Sequence, residues 1–272
     1  MRVGFIGLGS QGAPMARRIV EGGYDLTLWA RRPASVEPYA DTAAKVASTR
    51  AELAAACDLV CLCVVGDDDV RQVLNGDTGV LAGLAPGGIV AIHSTVHPDT
   101  CSEIAEAAAK QGVSVIDAPV SGGAPAAEEG TLMVMVGGDE AAVEKSRPVF
   151  ATYSDAIVHL GVLGSGQVAK ILNNLLYTAT LGSAMSTLDL GESLGVDRAK
   201  LCEVVNRGSA TSKAVSSIAA FGGSLEVLAP IAGALLQKDV RHAASLAAVA
   251  SAPEGAVFTA ADSALTVMDH GR

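Results

Sequence analysis

Five residues of strand pattern, Arg2–Ile6, run directly into Gly7-Leu8-Gly9-Ser10-Gln11-Gly12 and then into a helical pattern that ends near Gly22. G-x-G-x-x-G in that position leaves few folds open. The first glycine permits a tight turn, the second lets a ligand approach the backbone, and the third lets the helix pack on the strand. The helix start also leaves N–H groups unpaired, and these suit a pyrophosphate. Gly7, Leu8, Gly9, Ser10, Gln11 and Gly12 are thus the first candidate binding residues, for a dinucleotide.

Strand and helix patterns alternate after this motif. Strands are expected at 25–30, 59–65, 89–93 and 113–120, with helices at 51–56, from Gly66 through Leu74, and at 99–111. The strand pattern at Leu132–Val136 and at 156–160, around a helix at 139–150, is expected to complete the sheet. Such alternation predicts an α/β fold with a doubly wound, mostly parallel sheet of the Rossmann type. Ligands bind at the carboxyl ends of these strands. That rim collects residues 7–12, Arg31, the turn from Val65 to Asp67, Ser94-Thr95 and residues 117–123. Asp67, Asp68 and Asp69 read as an N-cap and first-turn acids.

The end of the second strand bears on cofactor choice. An NAD site usually carries an acid there for the ribose 2′-hydroxyl. This chain has Ala30-Arg31-Arg32-Pro33, with no acid before Glu37. Two guanidiniums suit a 2′-phosphate by charge and by bidentate geometry, so NADP (as NADPH) is expected in preference to NADH.

Composition narrows the remaining classes. The 272 residues are 50% hydrophobic and only 3% aromatic, which favours close helix-on-sheet packing by Ala, Val, Leu and Gly. A net charge of −10 argues against nucleic-acid binding. No apolar run reaches membrane-spanning length, and the N-terminus does not read as a signal peptide, so a cytoplasmic protein is expected. Cys57, Cys61, Cys63, Cys101 and Cys202 lack metal-type spacing and read as reduced thiols. His93 and His97 flank a loop, and no metal is expected there.

Two further stretches carry chemistry. In Asp117-Ala118-Pro119-Val120-Ser121-Gly122-Gly123 a strand stops at proline, and Ser-Gly-Gly can form a backbone nest for a carboxylate. Gly161-Val162-Leu163-Gly164-Ser165-Gly166 leads into a long helix on which Lys170 and Asn174 share one face. Beyond this point the pattern is helical, with breaks at Gly195, Arg207-Gly208-Ser209, Gly222-Gly223, Pro230 and Pro253. Two domains are therefore expected, a NADP-binding domain over 1–163 and an all-helical substrate and dimerisation domain over 164–272, joined by the long helix.

Taken together, the residues 7–12 loop, the 117–123 loop, the run Gly161-x-x-Gly164-x-Gly166-x-x-x-Lys170-x-x-x-Asn174 and the pair Lys238-Asp239 closely resemble the β-hydroxyacid dehydrogenases. That group includes 3-hydroxyisobutyrate dehydrogenase, tartronate semialdehyde reductase and phosphogluconate dehydrogenase. The resemblance implies a hydride-transfer enzyme acting on a small β-hydroxyacid or its semialdehyde. Lys170 would be its acid/base, Asn174 would hold the substrate, and Ser121, Gly122 and Gly123 would bind the carboxylate. Lys238 would close over cofactor and substrate, and Thr95 would contact the cofactor near the nicotinamide ribose. Val65 joins the cofactor set from its place on the rim, and a homodimer or higher homo-oligomer is expected.

The chain departs from the family pattern at Lys213, where an aromatic is frequent, and residues 221–237 are fewer than usual. Both lie where the second domain would shape a substrate pocket. Imine reductases share the architecture but usually replace the lysine, so an imine reductase is one alternative and a non-catalytic nucleotide-binding protein is another.

Overall fold

The computed structural model describes residues 1–272, which form two compact units, Met1–Lys170 and Ile171–Arg272. The first unit opens with β1 (Arg2–Ile6), α1 (Gly12–Glu21), β2 (Asp25–Trp29), β3 (Lys45–Val46), α2 (Arg50–Ala55) and β4 (Leu59–Leu62). Next come α3 (Asp67–Leu74), α4 (Val80–Gly83), β5 (Ile89–Ile92), α5 (Pro98–Ala109) and β6 (Ser114–Asp117). These six strands form one parallel sheet in the order β3-β2-β1-β4-β5-β6. That is the doubly wound order, with its reversal between β1 and β4.

The strands read as unbroken apolar runs because both faces of the sheet are covered. In β4, Leu59 and Cys61 enter one core with Phe5, Leu28, Met15 and Ile19. Val60 and Leu62 enter the other with Ile6, Val90, Cys101 and Ile104. A period of two thus sorts adjacent residues into separate cores. Burial raises the Cys57 thiol to about 11 and the Cys63 thiol to about 12, far from the range of a reactive thiolate.

The expectation that later strands complete this sheet is not met. β7 (Val120–Ser121), β8 (Leu132–Val136) and β9 (Ser154–His159) form a separate sheet in which β7–β8 is antiparallel and β8–β9 parallel. The predicted single strand over 113–120 breaks at Ala118-Pro119. Ala118 N–H still donates to Ile92 in the first sheet, but Pro119 has no N–H, and its carbonyl accepts from Met135 in the second. An isolated bridge between Asp117 and Gly137 marks the crossing. Between the strands lie α6 (Gly123–Glu129) and α7 (Glu140–Phe150).

The long helix α8 (Ser165–Ser193) begins in the first unit and continues into the second. The second unit adds α9 (Arg198–Arg207), α10 (Lys213–Ala220), α11 (Ala229–Val249) and α12 (Ala256–Val267). Asp197 and Ser212 cap α9 and α10 by accepting the N–H of Lys200 and of Val215. Ile171, Leu175, Leu188, Val240 and Leu265 share the core of this unit. The break expected at Pro230 falls at a helix boundary. Pro230 occupies the first turn of α11, where a missing N–H costs nothing. No helix is long and apolar enough to cross a membrane.

Candidate active site

At the reversal between β1 and β4 the backbone is tightly built. Gly7 has φ +105°, and a side chain on it would meet the Cys63 carbonyl at 2.2 Å. A Cβ on Gly12 would lie 1.9 Å from the Gly7 carbonyl. The protein itself therefore demands both glycines. Gly9 differs, since a Cβ there would meet nothing within 4 Å. Its place in the motif is explained by a ligand that must reach the backbone, and the site fits a dinucleotide on that ground.

Beside this turn is a cavity of about 220 Å³, lined by Gly7, Leu8, Gly9, Arg31, Arg32 and Val65 together with Trp29, Ser35, Arg50 and Asp69. Three guanidiniums thus border one cavity in a chain of net charge −10. Arg31 is exposed and stands 3.7 Å from Asp69. Arg50 stacks over Trp29, with its Cζ 5.4 Å from the ring centroid, and donates to the Gln72 carbonyl. Arg50 was missed in the sequence because it comes from α2, far from the glycine motif. Of the other predicted cofactor residues, Gln11 and Gly12 start α1, and Ser10 precedes them outside the cavity lining.

Thr95 lies in the turn after β5, where its neighbours are firmly held. Ser94 Oγ accepts the Val64 N–H at 2.9 Å. The buried Gln167 side chain accepts the Val96 N–H at 3.1 Å and donates to the Ser94 carbonyl at 2.9 Å. Asp67 is not the N-cap of α3, which is Gly66; its carboxylate instead accepts from the His97 N–H and the Thr100 hydroxyl. His93 is buried among aromatic rings, with Nδ1 2.6 Å from the Ala118 carbonyl and Nε2 3.2 Å from the Tyr153 hydroxyl.

The 117–123 loop follows β6. Ser121 pairs with Met133, while Gly122 and Gly123 both have positive φ, +136° and +75°. Asp117, at the head of the loop, is fully buried. Its Oδ1 accepts the Gly164 N–H at 2.6 Å and its Oδ2 the Gln167 N–H at 2.7 Å, at the start of α8. Burial pushes this carboxyl up, and the two N–H donors pull against that shift. Lys170 is half-buried one turn further along α8.

In the second unit, Asn174 Nδ2 donates to Oδ2 of the buried Asp239 at 2.6 Å, and Lys238 Nζ lies 3.2 Å from Asp239 Oδ1. Two predicted residues, Asn174 and Lys238, therefore meet at an acid that was not itself singled out as a site residue.

Residues 2–161 match the model of the NAD-binding domain of 6-phosphogluconate dehydrogenase. Residues 164–268 match the NAD-binding model of NADP-dependent 3-hydroxyisobutyrate dehydrogenase. Similar proteins include an NAD-dependent L-serine dehydrogenase of Pseudomonas aeruginosa, 35% identical, with 83% of this chain and 76% of the relative covered. A 3-hydroxyisobutyrate dehydrogenase of the same species is 34% identical, with 76% and 70% covered. Among solved structures, that of Mycobacterium tuberculosis 3-hydroxyisobutyrate dehydrogenase with L-serine matches with a TM-score of 0.84 and 29% identity, covering 100% of this chain and 96% of that one.

Proposed function

The chain belongs to the NAD(P)-binding β-hydroxyacid dehydrogenases of the 3-hydroxyisobutyrate dehydrogenase type, and from that premise we propose that it is NADP-dependent, acts on a small β-hydroxyacid or its semialdehyde, and uses Lys170 as acid/base. The observation that carries the cofactor assignment is the cavity bordered by Arg31, Arg32 and Arg50, with no acid at the end of β2. A 2′-phosphate would neutralise that charge, and planar guanidiniums bind it bidentately.

When bound, NADP supplies a hydride acceptor or donor at nicotinamide C4. The protein supplies the rest. In oxidation the Lys170 amine takes the hydroxyl proton as the carbon gives up hydride; in reduction Lys170 returns that proton to the developing alkoxide. Ser121 and the N–H groups of Gly122 and Gly123 receive the carboxylate. Asn174 holds the substrate hydroxyl, Lys238 closes over cofactor and substrate, and Thr95 borders the nicotinamide ribose. Residues 1–163 would form the cofactor domain and 164–272 the substrate and dimerisation domain. The L-serine relatives fit this substrate class, since serine is itself a β-hydroxyacid.

Initial rates with 3-hydroxyisobutyrate and L-serine, each with NADP+ and NAD+, test the reading. Equal use of the two cofactors removes the NADP assignment. Reduction of cyclic imines without turnover of any hydroxyacid or semialdehyde moves the chain to the imine reductases.

A further inference from the structure

Asp117 is an expensive residue where it stands. It is fully buried, and the groups that meet its carboxylate are backbone N–H groups rather than a lysine or arginine. Those donors belong to Gly164 and Gln167, 47 and 50 residues further along the chain. A helix start can be capped at far lower cost by a serine or aspartate at its own N-cap. The surroundings are also shaped to admit this one carboxylate. A Cβ on Gly137 would lie 2.5 Å from its Oδ1, and a Cβ on Gly166 2.7 Å from its Oδ2. The contact therefore links the end of β6, just ahead of the Ser121 loop, to the turn that leads into Lys170.

Gln167 extends the link. Its backbone N–H is held by Asp117, while its side chain, also fully buried, grips Ser94 and Val96 on either side of Thr95. One residue thus ties the first turn of α8 to the loop after β5, and one carboxylate ties that turn to the loop after β6.

We propose that Asp117 and Gln167 are positioning residues for hydride transfer: their shared knot holds the α8 turn that carries Lys170 in register with the Thr95 and Ser121 loops. This rests on the reading of Lys170 as acid/base. A misplacement of about 1 Å in such a site costs on the order of 100-fold in rate, so the knot acts through geometry and touches no reacting atom.

The test uses the full chain and two variants. Asp117→Asn turns one acceptor oxygen into an NH2 group facing an N–H. Gln167→Met keeps side-chain length and the backbone bond to Asp117 but deletes the grip on Ser94 and Val96. Hydrogen exchange read by mass spectrometry reports local order without needing turnover. Pre-steady-state hydride transfer with 3-hydroxyisobutyrate or L-serine reports alignment, and NADPH fluorescence reports cofactor affinity. We expect faster exchange confined to residues 94–96 and 164–170, hydride transfer slowed about 10- to 100-fold, and NADPH affinity within about threefold of native, well short of the loss of a phosphate contact. If Asp117→Asn fails to fold, Gln167→Met decides. Native exchange at both segments overturns the proposal, as does a native hydride-transfer rate in a variant whose turn has loosened. If the native chain oxidises neither substrate, the functional reading fails separately, and the exchange arm still judges the knot.

Discussion

Asn174 Nδ2 reaches Asp239 Oδ2 across 2.6 Å, and that contact fixes which way the amide points. The donor nitrogen is committed to a buried acid, so the amide oxygen is the atom left facing the neighbouring Asn173 Nδ2, 3.1 Å away. Asp239 in turn has Lys238 Nζ 3.2 Å from its other oxygen. An amide oriented this way can accept a hydrogen bond from a substrate hydroxyl through its oxygen.

Asn174→Asp should disrupt this array, because it sets a second carboxylate against the buried Asp239. We expect a loss of about 1–3 kcal/mol in urea unfolding, since the donor to a buried acid is deleted and like charges face each other. The double variant Asn174→Asp with Asp239→Asn restores one amide and one acid, and should recover at least half of that loss. If the double variant is no more stable than the single one, the 2.6 Å contact does not order this region.

Arg31 is 3.7 Å from Asp69 and largely exposed, so its charge is available to an incoming anion. Arg31→Ala should raise the Kd for NADPH about ten- to a hundredfold, the equivalent of ~1.5–3 kcal/mol for a charge-assisted contact. NADH binding should barely change. The companion variant Asp69→Asn removes the competing acid and should tighten NADPH modestly. Fluorescence titration with both cofactors checks each point, and a loss of equal size for NADH would move Arg31 away from the 2′-phosphate.

What could be read in the sequence divides along physical lines. Gly7 and Gly12 were legible because their demands are local, a positive φ in one case and a carbonyl at 1.9 Å in the other. The parallel sheet was legible because burial on both faces writes itself as apolar runs such as 59–62. Asp117 was visible only as a loop residue, since its partners lie 47 and 50 residues away. Asp239 was seen beside Lys238, but its bond to Asn174 spans 65 residues. The second sheet was missed because β7 is only two residues long, and its pairing depends on where Pro119 sends the chain.

His93 predicts a pH dependence of stability. Burial lowers its pKa from the usual 6.5 to about 4, and the bond to the Ala118 carbonyl opposes that only in part. A depressed value means the unfolded chain takes up the proton first. Stability is therefore full above about 6.5 and falls as pH drops toward 4, by roughly 3 kcal/mol in total. His93→Gln keeps a donor for Ala118 without titrating. Urea unfolding of both proteins from pH 7.5 to 4.5 should give a steeper fall for the native chain; parallel curves would show that His93 is not held neutral in the fold.

Lys170 bears the most weight. It sits on α8 one turn beyond the residue whose backbone N–H binds Asp117, on a stretch where the helix start is held by buried bonds rather than by solvent. General acid/base help is typically worth ~10²–10⁴ in rate. Lys170→Ala should lose about that much kcat while folding normally and binding NADPH with near-native affinity. Lys170→Arg keeps a cation at the site but holds its proton too tightly to exchange it, so it should not restore turnover. Stopped-flow measurement of hydride transfer, with NADPH binding followed separately, distinguishes these effects. A rate for Lys170→Ala within about threefold of native, far short of that range, would make the lysine a structural residue, and the proton donor would have to be another group.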